Sequence, residues 1–343
     1  MSSILRNMLS HSHIAVSPEK RKEFATNSEK FHEFRKVIEV DGNTIHSVTH
    51  QGSEMQKEAV ETFRAMMKER LSKKPEIADI LTPSFAVGCR RLTPGPGYLE
   101  ALVEDNVDFV SDKIASITPK AVVLKNGKEI ELDALVCATG FNASAPPPFH
   151  VYGKNGKSLQ EKFTPYPETY LSIAVDGFPN FFMMLGPNSA IGSGSLTMMI
   201  ETEGDYIIKC IRKLQKEDYL SLSPKSERVK DFSAYCEEYF KKTVYMDECN
   251  SWYRSEGGKG NRITGLWPGS TLHCLETLRT PRWEDFEYES KEANRLHWLG
   301  NGWSVTQLGE GDPAWYLEPT FIDVPVVGKP EEDAEFKMRP FSH

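Results

Sequence analysis

The fold is decided by residues 121–140, which read AVVLKNGKEIELDALVCATG. Ala121 to Leu124 and Glu129 to Leu132 both suit strands, and Asn126-Gly127 between them favours the positive φ angles of a two-residue turn. A nearly continuous apolar run follows from Ala134 to Cys137 and ends in Ala138-Thr139-Gly140. The stretch therefore predicts a β-hairpin that leads directly into a strand buried between helical layers.

The end of this strand is a candidate ligand site. In open α/β sheets, ligands bind beyond the carboxyl ends of the strands, and small residues let the backbone approach a ligand closely. Ala138-Thr139-Gly140 meets both conditions. A strand followed by a tight turn is also commonplace without any ligand, so this motif gains meaning only from its neighbours.

Helical patterns flank this stretch on both sides. Ser17-Pro18-Glu19 supplies an N-cap, a proline at the first helical position and an acid in the first turn. Apolar residues recur at three- and four-residue intervals from Glu54 to Lys74, from Thr197 to Lys216 and from Val229 to Phe240. We expect three amphipathic core helices there, with Pro75 ending the first of them.

Length and composition limit the classes of function. The chain has 343 residues and a net charge of -8, and its lysines alternate with glutamates, which argues against a nucleic-acid surface. No apolar run approaches the roughly 20 residues that span a bilayer. Six scattered cysteines without CxxC pairs predict reduced thiols, and the nine histidines show no metal-ligand spacing, so we expect a cytoplasmic protein without a metal site.

Four phrases in order carry a family resemblance: Gly88 to Tyr98, Asp133 to Phe141, Gly177 to Phe182, and Gly186-Pro187-Asn188. Together they resemble the second half of a flavin-dependent monooxygenase, in particular a class I Baeyer–Villiger monooxygenase of fungal secondary metabolism. Neither GxGxxG loop of that family occurs in the sequence. The chain is thus similar to a C-terminal portion of such an enzyme.

The resemblance implies a fold class and a division into domains. The expected fold is α/β, part of a two-dinucleotide-binding-domain flavoprotein monooxygenase fold, with a β-hairpin and a C-terminal helical and irregular tail. Residues 1–90 would be a mainly helical remnant of the NADPH-binding domain. Residues 91–218 would be the C-terminal part of the FAD-binding domain, and residues 219–343 a helical and loop-rich C-terminal region.

The resemblance also implies a catalytic arginine. Arg91 takes the place of the family's active-site arginine, which stabilises negative charge on the flavin peroxide and then on the adduct with a ketone. Arginine suits this role because it stays protonated and presents a planar fork of donors. Arg90 matches a basic residue that contacts the 2′-phosphate of NADPH. The alternative is a surface arginine pair in ordinary salt bridges.

The remaining implied site residues bind FAD and NADPH. The helix start after residues 186–195 would face the flavin ring, where exposed amide groups stabilise negative charge, although glycine- and serine-rich loops also precede helices without cofactors. Trp252 would fold over the nicotinamide cofactor, or would equally serve as an aromatic anchor beside a flexible loop. The cofactor-binding residues implied are Arg90, Ala138, Thr139, Gly140, Phe141, Gly186, Pro187, Asn188, Leu196 and Trp252.

Three interpretations of function remain open from the sequence. The chain derives from an FAD- and NADPH-dependent monooxygenase that inserts oxygen beside a ketone or hydroxylates a polyketide or terpenoid-type intermediate. Alternatively, it is a short flavin-free family member that acts as a non-redox catalyst or as one subunit of a split enzyme. The third interpretation is an inactive remnant. A complementing N-terminal portion or a homo-oligomer would be the protein partner.

Overall fold

The first described part of the chain is helical. The computed structural model describes residues 16–91, 95, 97–140 and 146–318. Ser17 caps the first helix by accepting a hydrogen bond from the Lys20 amide at 3.3 Å, with Pro18 at its first position, as predicted. Pro75 ends one helical pattern and also opens the next helix. The five helices are α1 (Pro18–Thr26), α2 (Ser28–Thr44), α3 (Glu54–Arg70), α4 (Pro75–Leu81) and α5 (Tyr98–Leu102).

The predicted hairpin is confirmed. Strands β1 (Ile114–Ile117), β2 (Ala121–Leu124) and β3 (Glu129–Glu131) form an antiparallel sheet in the order β1-β2-β3. Ala121 pairs with Glu131, and Gly127 adopts a φ of 85° in the turn. The predicted two-residue turn is wrong in detail: the Leu124 amide donates to the Lys128 carbonyl oxygen, which leaves three residues, 125–127, in the turn, and of Asn126 and Gly127 only Gly127 has a positive φ. Glycine reaches such a φ without the steric cost that other residues have, which is why the Asn-Gly pair still located the turn.

The predicted buried strand from Ala134 to Cys137 is wrong. Residues 134–140 have no regular secondary structure and are exposed, with Val136 at 89% and Leu135 at 46% of their full accessible surface. A strand needs neighbours for its N–H and C=O groups, and no described residue pairs with this segment. The apolar pattern is that of a central strand, but the residues that would cover it are not among those the structure describes.

A larger core lies in the second half of the chain. Two long helices dominate it, and the apolar residues that predicted them are buried there, including Met199, Tyr206, Val229 and Phe240. Strands β4 and β5 pair with each other beside these helices. The elements are α6 (Leu159–Lys162), α7 (Leu196–Lys216), β4 (Tyr219–Pro224), α8 (Ser226–Phe240), α9 (Ser255–Gly258), α10 (Thr271–Thr277) and β5 (Phe286–Ser290).

The chain divides into two units. The first comprises residues 1–215 and 219–289, and the second comprises residues 216–218 and 290–343. In the second unit, short 3-10 turns alternate with glycines, and Trp298, Trp303 and Trp315 are partly exposed. The domain boundaries expected from the sequence therefore stay a prediction. Within the described ranges, every helix is too short or too polar to cross a membrane.

Candidate functional site

Both predicted arginines line one cavity of about 260 Å³, which we call the arginine pocket. Its walls come from four places in the chain: the end of α2 with the turn after it, the segment before Arg91, the glycine-rich loop before α7, and one buried tyrosine. The lining residues are Gly42, Ile45, Val48, Thr49, Val87, Gly88, Arg90, Arg91, Ile191, Gly192, Ser193, Gly194 and Tyr253.

A disulfide fixes the segment that carries the arginines. Cys89 is bonded to Cys249, which corrects the expectation that all six cysteines are reduced. The Asn250 carbonyl oxygen accepts a hydrogen bond from Arg90 Nε next to this bond, and the Asp247 carboxylate accepts one from the Ala86 amide at 2.8 Å. The spacing of the cysteines gave no signal for this pairing, because the two residues are 160 positions apart.

Arg91 contributes positive charge to the pocket beside a buried phenol. Its side chain is exposed, whereas Tyr253 is only 2% exposed. Burial raises the pKa of the Tyr253 hydroxyl, and the charge of Arg91 partly opposes this rise by favouring the phenolate. The charge of Arg91 therefore reaches Tyr253 in the interior of the pocket, and the catalytic role of Arg91 stays a prediction.

The glycine-rich loop exposes bare backbone to the pocket. A Cβ atom at Gly192 would overlap with the Tyr245 hydroxyl, and one at Gly194 would overlap with Thr271 Oγ1. Gly194 also has a φ of 98°. The Thr271 hydroxyl donates a hydrogen bond to the Ser193 carbonyl oxygen at 2.5 Å and fixes the loop. Only glycine fits at both positions, so the loop packs closely against Tyr245 and Thr271 behind it while its residues line the pocket.

A second cavity, of about 690 Å³, is lined by four of the other nine predicted site residues, and we call it the apolar cleft. Trp252 lines this cleft, while its neighbour Tyr253 lines the arginine pocket, so consecutive residues connect the two cavities. The cleft is lined by Pro146, Pro147, Pro148, Phe163, Pro167, Met183, Met184, Leu185, Gly186, Pro187, Ser189, Ala190, Leu196, Trp252, Thr264 and Gly265. Prolines, methionines and aromatic rings suit an apolar ligand.

Gly186 and Pro187 line the cleft, and the turn that they form with Asn188, which is outside this lining, is held from behind. A Cβ atom at Gly186 would overlap with the Ser172 carbonyl oxygen. Asn188 has a φ of 63°, and its side-chain amide donates to the carbonyl oxygens of Ile263 at 2.9 Å and Leu266 at 3.0 Å. The amide of Asn188 is thus engaged in fixing the turn, and its cofactor contact stays a prediction.

Other predicted cofactor residues lie apart from both linings. Ala138, Thr139 and Gly140 are exposed in the irregular segment 134–140, and Gly140 has a φ of 81°. Phe141 lies outside the described residues. The structure therefore brings together Arg90 with Arg91, and Gly186, Pro187, Leu196 with Trp252, in two neighbouring cavities.

Sequence reasoning missed two residues of this region. Tyr253 carried no signal of its own beside Trp252, yet the two consecutive residues lie in a turn and line different cavities. Glu203 is fully buried on α7. Its signal was present, since Met199, Glu203, Tyr206 and Cys210 follow one helical face and only Glu203 on that face is charged.

Comparison with known proteins relates the chain to one family. The chain is 35% identical over 308 residues to the FAD-binding monooxygenase tazF of Aspergillus terreus, covering 89% of this chain and 55% of that protein. It is 34% identical over 298 residues to the FAD-binding monooxygenase stcW of Emericella nidulans, covering 87% and 49%. The Baeyer–Villiger monooxygenase of Pseudomonas aeruginosa is 32% identical over 201 residues, covering 58% of this chain and 38% of that protein.

Solved structures support the same relationship. Cyclohexanone monooxygenase from Rhodococcus sp. Phi1 bound to NADP+ superposes with a TM-score of 0.62 at 25% identity, covering 71% of this chain and 46% of that one. A closed cyclohexanone monooxygenase gives a TM-score of 0.65 at 22% identity, covering 80% and 59%. These matches confirm the predicted α/β flavoprotein monooxygenase fold class.

No protein-family model matches the chain. The chain spans about half the length of these curated fungal relatives. The identity to fungal enzymes, the fold shared with cyclohexanone monooxygenases and the order of the sequence motifs agree. This chain belongs to the family of FAD-binding monooxygenases that includes the Baeyer–Villiger monooxygenases.

Proposed function

We propose that the chain forms the arginine-bearing and substrate-binding part of an FAD- and NADPH-dependent monooxygenase. The reaction would be Baeyer–Villiger oxidation or hydroxylation of a ketone or polyketide-like intermediate in secondary-metabolite biosynthesis. The observation that carries this proposal is the junction of the two cavities, where Arg91 and Tyr253 line one side and Trp252 lines the other. A cationic pocket beside an apolar cleft suits a reaction that builds negative charge on an apolar ketone.

The residues of the arginine pocket fit a phosphate-bearing cofactor. Arg90 and Arg91 supply permanent positive charge, and the backbone of Gly192 and Gly194 lines the same pocket. Arg90 would hold a phosphate of NADPH. Gly186, Pro187 and the start of α7 at Leu196 would face the flavin ring.

When bound, NADPH supplies reducing electrons and FAD the activation of oxygen. The role of Arg91 would be to place a positive charge next to the negative charge that develops during the reaction with the ketone. Trp252 is 47% exposed and Met184 50% exposed without a ligand, so a bound apolar ketone would cover both side chains and displace water from the cleft.

The phosphates of FAD need a partner outside this sequence. The chain contains no GxGxxG loop, which in dinucleotide-binding folds places a pyrophosphate on a helix N-terminus. The segment 134–140, which would pack on FAD, is exposed together with Leu135 and Val136. We infer that a complementing polypeptide segment covers this surface and completes the FAD site, in a cytoplasmic enzyme.

The role of Arg91 is tested by oxygenation of a ketone substrate. The chain is co-expressed with the part of the Aspergillus terreus relative that it does not match, and product formation and NADPH oxidation are measured separately. Arg91→Ala is expected to reduce product formation at least about a hundredfold, as loss of a charge-stabilising donor does. NADPH oxidation should remain measurable.

Arg64→Ala is the matched control, because Arg64 is exposed on α3 and lies outside both cavity linings. It should oxygenate like the unsubstituted chain. Product formation by Arg91→Ala at the control rate would contradict the role given to Arg91. If the complemented wild-type chain forms no product while it reduces flavin, the oxygenation proposal itself is wrong.

A further inference from the structure

The buried carboxyl group of Glu203 has no role in the account so far. The side chain lies on α7 with 0% of its surface exposed. One carboxyl oxygen, Oε2, accepts a hydrogen bond from the Leu185 amide at 2.9 Å. The other oxygen, Oε1, is buried without a hydrogen-bond partner among the described residues. Burying a carboxyl group costs free energy. Among the described residues its one hydrogen bond is with the Leu185 amide, so Glu203 can act on the backbone at Leu185.

That contact reaches the wall of the apolar cleft. Leu185 lines the cleft and begins the turn Leu185–Asn188. Leu185 has a φ of 54° and Asn188 a φ of 63°, and both values lie in the left-handed region, which is sterically unfavourable for residues other than glycine and more so for leucine than for asparagine. Surrounding contacts must hold such a backbone in place. Glu203 holds one end of the turn and the carbonyl oxygens of Ile263 and Leu266 hold the other.

The surroundings of Glu203 favour its neutral form. Burial raises the pKa of Glu203, and the hydrogen bond from Leu185 opposes this rise only in part. The Cys274 thiol of α10 faces the same carboxyl group, and its pKa is raised first by burial and second by Glu203. Glutamine has the shape of a neutral carboxyl group and retains an oxygen that accepts a hydrogen bond. Leucine has a similar size but offers no acceptor.

We propose that Glu203 is a positioning residue of the apolar cleft: its carboxyl oxygen holds the Leu185 amide and thereby fixes the Leu185–Asn188 turn in the shape that the ligand meets. The inference rests on the proposed function only for the identity of that ligand, an apolar ketone. Glu203 touches no reacting atom. Its effect is on the affinity of the cleft.

The test measures the cleft without any flavin. The full chain is titrated with the fluorescent naphthyl ketone prodan, and hydrogen exchange of the Leu185 amide is followed at the same time. Glu203→Leu is expected to raise the dissociation constant for prodan about tenfold, because it leaves a buried amide unpaired. The Leu185 amide should exchange about tenfold faster, while amides in α8 keep their rates.

Two variants serve as matched controls. Glu203→Gln restores the acceptor and should stay within about twofold of the unsubstituted chain in both measurements. Glu201→Leu changes an exposed acid on the same helix and should also have no effect. If Glu203→Leu does not fold, the rate of Leu185 exchange in the unsubstituted chain decides the question, since the proposal requires a protected amide there.

Three results would overturn the proposal. These are prodan binding by folded Glu203→Leu at the wild-type affinity, equal loss of affinity in Glu203→Gln and Glu203→Leu, or rapid exchange of Leu185 in the unsubstituted chain. The outcome is separate from the proposed oxygenation. If the expected changes occur while the complemented chain forms no product, Glu203 positions the cleft and the proposed reaction is wrong.

Discussion

The body around α7 and α8 and the segment 134–140 contain similar apolar residues, yet one is packed and the other is exposed. Leu222 in β4 is 1% exposed and Met199 in α7 is fully buried, whereas Val136 is 89% exposed. Both regions have the residue pattern of buried elements. The difference shows that an apolar pattern indicates which residues suit burial. Whether they are buried depends on other residues that pack against them.

The largest expected effect comes from comparing two cysteines. Cys89 is bonded to Cys249 in the packed unit, and Cys137 is a free exposed thiol in the segment 134–140. Cys89→Ser should lower the free energy of unfolding by about 4 kcal/mol, because the bond closes a loop of 160 residues that otherwise gains entropy in the unfolded chain. Urea denaturation under non-reducing conditions measures this value.

Cys137→Ser is the control and should leave the free energy of unfolding within about 0.5 kcal/mol of the unsubstituted chain. Equal effects of the two serine variants would break the comparison. So would a Cys89→Ser protein of unchanged stability.

A smaller difference is expected for truncated aliphatic side chains. Leu222→Ala removes methyl groups from the core and should lower the free energy of unfolding by about 3 kcal/mol, since the cavity that it leaves cannot collapse fully. Val136→Ala should have almost no effect, because its side chain already contacts solvent. Urea midpoints of both variants test this, and a substantial loss in Val136→Ala would mean that the segment is packed after all.

The smallest expected effect is a loss of stability at low pH that is caused by His46. This histidine follows Ile45, which lines the arginine pocket. Burial, followed by the charges of His50 and His273, lowers the pKa of His46 from 6.5 to about 4. The unfolded chain therefore binds a proton on His46 near pH 6.5 that the folded chain binds only near pH 4. The contribution of His46 to the free energy of unfolding is therefore fully present above pH 6.5 and is lost as the pH falls from 6.5 to about 4.

We expect the free energy of unfolding to fall by about 2 kcal/mol between pH 7 and pH 4 because of His46, after allowance for the partial exposure of its imidazole ring. This fall is measured as the difference in free energy of unfolding between the unsubstituted chain and His46→Gln from pH 7 to pH 4. A flat difference for His46→Gln would contradict a neutral His46 in the folded chain.

Local sequence patterns correctly predicted the elements that contact residues near in sequence or elsewhere in the described part of the chain. The Asn126-Gly127 turn, the Ser17 cap and the apolar faces of α7 and α8 needed only φ preferences and helical periodicity. The strand at Ala134–Cys137 failed because a strand depends on distant residues for its hydrogen bonds. No local pattern states whether those residues are present.

The candidate site was predictable only in part for the same reason. The phrases around Arg91, Gly186 and Trp252 gave the residues, but their division between an arginine pocket and an apolar cleft depends on tertiary packing. The Cys89–Cys249 bond joins segments that no spacing rule connects. Glu203 was readable as an acid on an apolar helical face, but its contact with Leu185 was not.

The central claim is that this chain carries the arginine pocket and the apolar cleft, while a complementing segment completes the FAD site. The most direct test is the visible absorption spectrum of the purified chain with FAD, recorded before and after addition of NADPH without air. We expect no flavin to remain with the chain after gel filtration, and flavin to be retained and bleached by NADPH once the complementing segment is present. A chain that by itself retains flavin and bleaches it with NADPH would contradict the claim.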